Sequence, residues 1–301
     1  MRAAVPPRPG EAAPEGPPRP GARPTRVRGG AGRRGRVPNG GPVAGGRAAG
    51  GVGVTGPGST PPSAVSSPWL RVWRRKGQVP LPAAPADRLR TLMEASGYGA
   101  VVGGLSTDGL RDAAARMAAA LAVPRGGGLI DVGCGAGAVL YTVRPRPARV
   151  VGVDPAEPLL ALARAALPDA LFLPGEADAL PVPDRSFDGA LLCNVAVYFP
   201  DLGYARRALS EAVRVLAPGG RGLLVGLADA ARRDEREARR RAALPPGAYD
   251  RLYAGLPHLY LDRAWVAETL AELGCRSWPV EIFGPDHPAP FTFDVAFERL
   301  R

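Results

Sequence analysis

Cysteine is scarce in this 301-residue sequence, with only Cys134, Cys193 and Cys275, which lie far apart. Three separated cysteines without a Cys-x-x-Cys pair support neither a disulfide framework nor a zinc site, so we expect no metal. This usage favours a reducing, cytoplasmic compartment. Long apolar runs are also missing, both for a membrane-spanning helix of roughly 18 residues and for a secretory signal near the start. The sequence therefore predicts a cytoplasmic protein that does not enter a membrane.

Lysine is almost absent, since Lys76 stands against 38 arginines. The formal net charge of +11 lies in residues 1–80, with 14 basic and two acidic residues, whereas residues 81–301 carry 25 basic and 26 acidic ones. A strong positive charge is typical of nucleic-acid binding, but the body of this chain is nearly neutral. We interpret the arginine excess as compositional bias and do not expect nucleic acid as a partner.

Large apolar side chains are nearly missing from residues 1–66, a mixture of Pro, Gly, Arg and Ala. Such a segment cannot bury enough surface to offset its ordering entropy, so we predict a disordered tail. Residues 67–301 are predicted to form the ordered domain, because Trp69 and Trp73 belong to the first apolar cluster. This domain divides into a helical cap at 81–127, a core at 128–228 and C-terminal helices and strands at 229–301.

Apolar runs alternate with amphipathic segments from Gly128 onward. This rhythm predicts an α/β fold with a parallel sheet covered by helices on both faces. Two final strands without a helix between them predict an antiparallel end to the sheet. The predicted strands are 128–133, 149–154, 170–174, 187–193, 221–228, 278–283 and 291–300, and the main helices are 106–123, 156–167 and 203–216.

Three glycines, Gly133, Gly135 and Gly137, follow the first strand of the core. A tight turn needs only one glycine, so the bare backbone points to a nucleotide that approaches closely. The sequence GCGAGA, residues 133–138, also satisfies the dinucleotide-binding pattern G-x-G-x-x-G/A, so a nicotinamide-dependent oxidoreductase remains an alternative. Asp131 argues against a pyrophosphate, because its carboxylate would repel phosphates and attract a sulfonium or an amino group.

Five sequence blocks stand in a fixed order over about 128–228: "LIDVGCGAG" (129–137), "VVGVDPA" (150–156), "GEADALPVPDRSFD" (175–188), "ALLCNVAVYFPD" (190–201) and "EAVRVLAPGGRGLLV" (211–225). Together and in this order they resemble the motifs of the class I S-adenosylmethionine-dependent methyltransferases of the small-molecule type. The resemblance implies a Rossmann-like, seven-stranded, mostly parallel sheet, S-adenosylmethionine as cofactor and methyl transfer to a small-molecule acceptor.

The resemblance also assigns residues to the cofactor. It implies that Asp131 and the glycine loop hold the methionine part and the ribose edge, and that Asp154 holds the ribose. Glu176 and Ala177 would address adenine, with Glu where Asp is commoner, and Asn194 would lie near the methionine moiety or the methyl group. The predicted cofactor-binding residues are Asp131, Gly133, Cys134, Gly135, Gly137, Asp154, Pro155, Glu176, Ala177 and Asn194.

The acceptor site has weaker signals. Tyr198 and His258 are the candidate catalytic residues, with His258 as a general base, although a lone histidine is more often structural. Many relatives carry His or Gln before the loop's aromatic residue, where this sequence has Val197. Tyr98 is a candidate lid residue. Further aromatic candidates lie close to His258 in the sequence: Tyr249, Tyr253, Tyr260 and Trp265. For Trp265 we favour a role in packing between the last helices and the sheet.

Other functions stay open at this point. A nucleic-acid or protein methyltransferase aided by the basic tail is one, but "CNVAVYFP" lacks the Asn/Asp-Pro-Pro-aromatic run of amino-directed nucleic-acid enzymes. An NAD(P)-dependent oxidoreductase and a non-catalytic domain of the same fold are the others. The sequence does not identify the acceptor, the acceptor atom or the oligomeric state.

Overall fold

The structure, a computed structural model, describes residues 67–98, 104–143, 147–283 and 291–300. The predicted disordered tail, 1–66, lies outside the described residues. The helices are α1 Leu70–Lys76, α2 Pro85–Ala95, α3 Thr107–Leu121, α4 Ala138–Thr142, α5 Glu157–Ala166, α6 Leu202–Val215, α7 Arg233–Ala242, α8 Ala248–Tyr253 and α9 Arg263–Glu272. The strands are β1 Gly128–Val132, β2 Arg149–Asp154, β3 Leu171–Pro174, β4 Phe187–Cys193, β5 Leu216–Ala228, β6 Cys275–Val280 and β7 Thr292–Arg299.

The seven strands form one sheet in the order β3-β2-β1-β4-β5-β7-β6. The first five strands pair in parallel, whereas β7 is antiparallel to both β5 and β6. The predicted seven-stranded, mostly parallel sheet with an antiparallel C-terminal end is therefore confirmed. The chain winds outward from β1 to β3 and then returns to β4 on the other side of β1. Ligands of such sheets bind at this switch point, beyond the carboxyl ends of the strands.

Both faces of the sheet are buried beneath helices, as predicted. All five residues of β1 are buried, and successive side chains along a strand point to opposite faces. Leu129 packs in the cluster with α2 to α5, whereas Ile130 packs in the cluster with α6 and α9. Because β1 is buried on both faces, its carboxyl end is held in a fixed place, and so is Asp131, the second-last residue of the strand.

Two predicted strand boundaries are wrong. β5 begins at Leu216 instead of 221, because Leu216 already pairs with Phe187 ahead of a shift in register. β6 spans Cys275–Val280 instead of 278–283, since the chain starts pairing with β7 directly after Gly274. The six-residue helix α8 has no counterpart in the predictions, because so short a segment shows no clear periodicity. No helix in the described ranges is long and apolar enough to cross a membrane.

Candidate active site

A cavity of about 920 Å³, part of it open to solvent, lies at the carboxyl ends of β1, β2 and β4. Nine of the ten predicted cofactor-binding residues line it, and Gly137 alone stands outside, as the N-cap of α4. Tyr98 and Tyr198 also line the cavity, whereas His258 does not. Residues from distant parts of the sequence thus meet around one cavity.

The glycine loop needs glycine for its shape. Gly133, Gly135 and Gly137 have φ values of +74°, +54° and +77°, in the left-handed region that other residues avoid. Space is also short at the first of them: a Cβ on Gly133 would lie 2.3 Å from Cγ2 of Val195. The loop therefore brings bare backbone to the cavity wall, as the sequence predicts.

Asp131 is the second-last residue of β1 and lines the cavity with 2% of its surface exposed. Among the described residues its carboxylate has no hydrogen-bond partner. Burial, and then the charge of nearby Asp154, raise its pKa to about 7. A buried carboxylate without a donor is costly in the ligand-free protein, so the site is built to receive a positively charged or hydrogen-donating group.

Asp154 ends β2 and is held by backbone. Its Oδ2 accepts the N–H of Gly135 at 2.9 Å, and its Oδ1 accepts the N–H of Ala156 at 2.8 Å. Burial raises its pKa to about 6, although both bonds act in the opposite direction. Asp154 therefore fixes the glycine loop and presents a carboxylate to the cavity at the same time.

The cavity is acidic as a whole. Asp131, Asp154 and Glu176 line it, and none of its lining residues in the described ranges is Lys or Arg. Nor does the described part of the chain contain a cluster of His, Cys, Asp or Glu that could hold a metal ion. The wall therefore suits an uncharged or cationic ligand and opposes one that carries phosphates.

Asn194 follows β4 and occupies a strained position. Its φ of +56° is unusual for a residue other than glycine. Gly226 lies behind it so closely that a Cβ there would be 1.9 Å from Oδ1 of Asn194. Its Nδ2 points to the hydroxyl of Tyr98 at 3.5 Å, and that hydroxyl also lies 3.3 Å from Sγ of Cys193. Strain of this kind is commonly kept at functional sites.

The N-terminal part of the described chain covers the cavity. Trp69, Leu70 and Trp73 line it, and both tryptophan rings meet Tyr198 edge to face with centroids 4.9 Å apart. The indole N–H of Trp69 donates to the carbonyl of Pro257 at 2.8 Å, which ties the cover to the C-terminal half. Sequence reasoning placed both tryptophans in an ordered cluster but gave no signal that they reach the site.

Tyr204 is a second residue that sequence reasoning missed. It lies in the first turn of α6 and lines the cavity. Its hydroxyl donates to Oε2 of Glu176 at 2.9 Å and accepts the N–H of Ala177 at 3.2 Å. Helical periodicity marks this position only as apolar and buried, so nothing in the sequence predicts the contact.

His258 lies behind the cavity wall in an aromatic cluster. Its ring centroid is 4.7 Å from that of Trp69 and 5.6 Å from that of Tyr253. Arg240 donates to its Nδ1 at 2.7 Å. Burial, followed by the charge of Arg240, lowers its pKa to about 3. A group so hard to protonate is a poor proton acceptor, and the geometry favours a structural role over the predicted general base.

The other predicted aromatic candidates lie in the same region or in the core. The hydroxyls of Tyr249 and Tyr260 both donate to Glu237, and the ring of Tyr253 lies under the guanidinium of Arg240. Trp265 packs partly buried against the core on the α6 and α9 side of the sheet, in line with its interpretation as packing.

We expect His258 to stay neutral throughout the pH range of activity. Its environment disfavours the imidazolium ion, so its ring resonances should not titrate between pH 5 and pH 8 in an NMR experiment. Arg240→Gln removes the nearest positive charge and should raise the pKa of His258. A titration midpoint near 6.5 in the unaltered protein would restore the histidine as a candidate base.

Comparison with known proteins agrees with the geometry. The sequence profile of the methyltransferase domain family matches residues 130–224, which include all ten predicted cofactor-binding residues. The chain contains a class I S-adenosylmethionine-dependent methyltransferase domain. Within the methyltransferase domain, an uncharacterized methyltransferase of Mycobacterium tuberculosis is 39% identical over 93 residues, 31% of this chain and 37% of that protein. The demethylmenaquinone methyltransferase of Thermus thermophilus is 39% identical over 99 residues, 31% of this chain and 44% of that protein.

The methyltransferase domain and its surroundings also resemble a solved structure. One chain of the complex between the Haloferax volcanii Trm112 methyltransferase activator and a methyltransferase superposes on this chain with a TM-score of 0.53 at 18% identity. The superposition covers 79% of this chain and 100% of that one. Likeness at this identity shows the fold alone. The present chain spans less than half the length of either curated relative, so the sequence matches describe the shared domain.

Proposed function

We propose that this protein transfers a methyl group from S-adenosylmethionine to an apolar small molecule. One observation carries the proposal: Asp131 is a buried carboxylate without a partner among the described residues, at the wall of a cavity that also holds Asp154 and Glu176. A ligand with an ammonium and a sulfonium group offsets both the burial cost and the mutual repulsion of these carboxylates.

Each acidic residue has a distinct part in holding the donor. Asp131 attracts the positively charged methionine portion, and the backbone of the glycine loop lies against it. Asp154, oriented by two backbone N–H groups, accepts the ribose hydroxyls. Glu176 accepts the adenine amino group, and Asn194 lies next to the reacting end. When bound, S-adenosylmethionine supplies an electrophilic methyl group on a positive sulfur atom.

The protein contributes mainly alignment and exclusion of water. The cover formed by Trp69, Trp73 and Tyr198 closes the space beside Asn194, where an acceptor would lie in line with the methyl group. Holding two reactants in line lowers the barrier by removing entropy in advance. The aromatic walls favour an apolar acceptor, and the name of the Thermus thermophilus relative, a demethylmenaquinone methyltransferase, is in keeping with one. Tyr198 remains the candidate residue at the acceptor.

A dinucleotide suits this cavity less well than an adenosyl sulfonium. Three carboxylates would face a pyrophosphate, with no Lys or Arg of the described lining to offset them. Calorimetric titration with S-adenosylhomocysteine and, separately, with reduced nicotinamide dinucleotide distinguishes the two functions. Binding of the nicotinamide dinucleotide together with no heat from S-adenosylhomocysteine would contradict the proposal.

Asp154→Ala should weaken S-adenosylhomocysteine binding by about tenfold or more, because a charged hydrogen bond is worth about 1.5–3 kcal/mol. The same substitution also frees the N–H groups of Gly135 and Ala156. Isothermal titration calorimetry measures the affinity, and Asp169→Ala, in the exposed turn between α5 and β3, is the matched control. Equal affinity in both variants would remove Asp154 from the ribose site.

A further inference from the structure

Tyr204 contacts both residues that the family resemblance assigns to adenine, Glu176 and Ala177. Its hydroxyl bridges the carboxylate of Glu176, at 2.9 Å, and the backbone N–H of Ala177, at 3.2 Å. A hydroxyl has one proton to donate, and here the proton goes to the carboxylate. The N–H of Ala177 is therefore already satisfied within the protein.

The position of Tyr204 is fixed by several contacts. Its backbone N–H donates to Oδ1 of the helix cap Asp201 at 2.7 Å. The centroid of its ring lies 4.9 Å from that of Phe199 and 5.7 Å from Cζ of the Arg207 guanidinium. Only 3% of the residue is exposed. Burial, followed by the charge of Glu176, raises the pKa of Tyr204 well above its usual range, so the hydroxyl keeps its proton at any working pH.

Glu176 is thereby held by one of its two oxygens. Within the described ranges Tyr204 is the only hydrogen-bond donor to this carboxylate, through Oε2, and Oε1 stays without a partner. The residue lines the cavity and is only partly exposed. A glutamate has one more rotatable bond than the aspartate commoner at this place, so an unheld carboxylate would lose more freedom on binding a ligand.

We infer that Tyr204 is a positioning residue for adenine: it orients Glu176 so that the free carboxylate oxygen accepts the exocyclic amino group of the donor. Because Tyr204 occupies the N–H of Ala177, recognition of the base depends on the amino group and on this one oxygen. A purine with an oxo group in place of the exocyclic amino group would bring its oxygen against the carboxylate oxygen of Glu176, two acceptors without a proton between them. This inference rests on the proposed function and goes beyond it by naming how the base is selected.

The experiment compares two ligands in two proteins. S-adenosylhomocysteine carries the amino group, and S-inosylhomocysteine carries an oxo group instead. Calorimetry should show that the unaltered protein prefers the adenosyl ligand by about tenfold or more. Tyr204→Phe should weaken the adenosyl ligand by about tenfold and change the inosyl ligand by less than about twofold. In turnover, the KM for S-adenosylmethionine should rise while kcat at saturation stays constant.

A double-mutant cycle separates positioning from general damage. In a Glu176→Gln background, Tyr204→Phe should cost less than about threefold, since there is no carboxylate left to orient. Tyr141→Phe, on α4 and away from this cavity, is the matched control. Equal loss for both ligands would show a merely structural tyrosine and overturn the inference. Unchanged or tighter adenosyl binding would overturn it too, because the tyrosine would then compete with adenine for Ala177. The proposed function fails by a different result, the absence of any S-adenosylhomocysteine binding to the unaltered protein.

Discussion

Asp131→Asn is expected to raise the stability of the ligand-free protein at pH 8 and to lower its affinity for S-adenosylmethionine by about tenfold to a hundredfold. The two effects have one cause. Burial lifts the pKa of Asp131 to about 7, so at pH 8 the folded protein holds an ionised carboxylate without a donor among the described residues. The asparagine removes that charge, which is unfavourable before the ligand binds and favourable afterwards.

The sign of the stability effect depends on pH. In the unfolded chain Asp131 ionises near pH 4, whereas in the folded protein it keeps its proton up to about pH 7. Its contribution to the free energy of unfolding therefore falls as pH rises from 4 to 7 and is constant above. The gain from Asp131→Asn should be small at pH 4 and about 2–4 kcal/mol at pH 8. Urea unfolding at the two pH values measures it, and a loss of stability at pH 8 would contradict the interpretation.

Ligand affinity should change with pH in the opposite sense. S-adenosylmethionine needs Asp131 ionised, so its affinity for the unaltered protein should fall as pH drops below about 7. The Asp131→Asn protein should lack this dependence down to about pH 6, where protonation of Asp154 begins to contribute. The loss should be larger for S-adenosylmethionine than for S-adenosylhomocysteine, which lacks the positive sulfur. Asp169→Asn is the exposed control for this substitution, and equal losses for both ligands would place the sulfonium elsewhere.

The meeting of nine residues assigned to the cofactor at one cavity was predictable because they sit at fixed points of a repeating pattern, whereas their part in binding stays a prediction. Asp131 and Asp154 lie at the carboxyl ends of buried parallel strands, and strand ends of this fold meet at one edge. The glycine loop was recognisable because three closely spaced glycines predict a backbone with positive φ values, which only glycine adopts freely. Of the predicted set only Gly137 lies off the cavity wall, since it caps α4 instead.

The covering side was not predictable in the same way. Trp69, Trp73 and Tyr204 look in the sequence like ordinary buried positions, and their meeting with Tyr198 or Glu176 arises from packing between distant segments. The surroundings of His258 were not predictable either. Its part as a general base stays a prediction, but the burial that chiefly lowers its pKa, and the charge of Arg240 on α7 that adds to it, arise from tertiary packing. Contacts of this kind have no periodic signature in one sequence.

Gly133→Ala is expected to lower the free energy of unfolding by about 3 kcal/mol or more and to abolish measurable S-adenosylhomocysteine binding. Two costs add at this position. An alanine at a φ of +74° is strained, and its Cβ would lie 2.3 Å from Cγ2 and 2.8 Å from Cβ of Val195. The structure can relieve the collision only by moving the glycine loop or the chain after β4, and both form the cavity wall.

Gly274→Ala isolates the second cost. Gly274 has nearly the same φ, +77°, but no atom lies within 4 Å of a Cβ built there. The control should therefore show only the left-handed strain, about 1–2 kcal/mol, and should bind S-adenosylhomocysteine normally. The difference between the two variants in chemical unfolding then measures the close approach of Val195 to Gly133. Equal destabilisation by Gly133→Ala and Gly274→Ala would mean that the glycine loop needs glycine only for its backbone conformation. The close contact with Val195 would then add no cost.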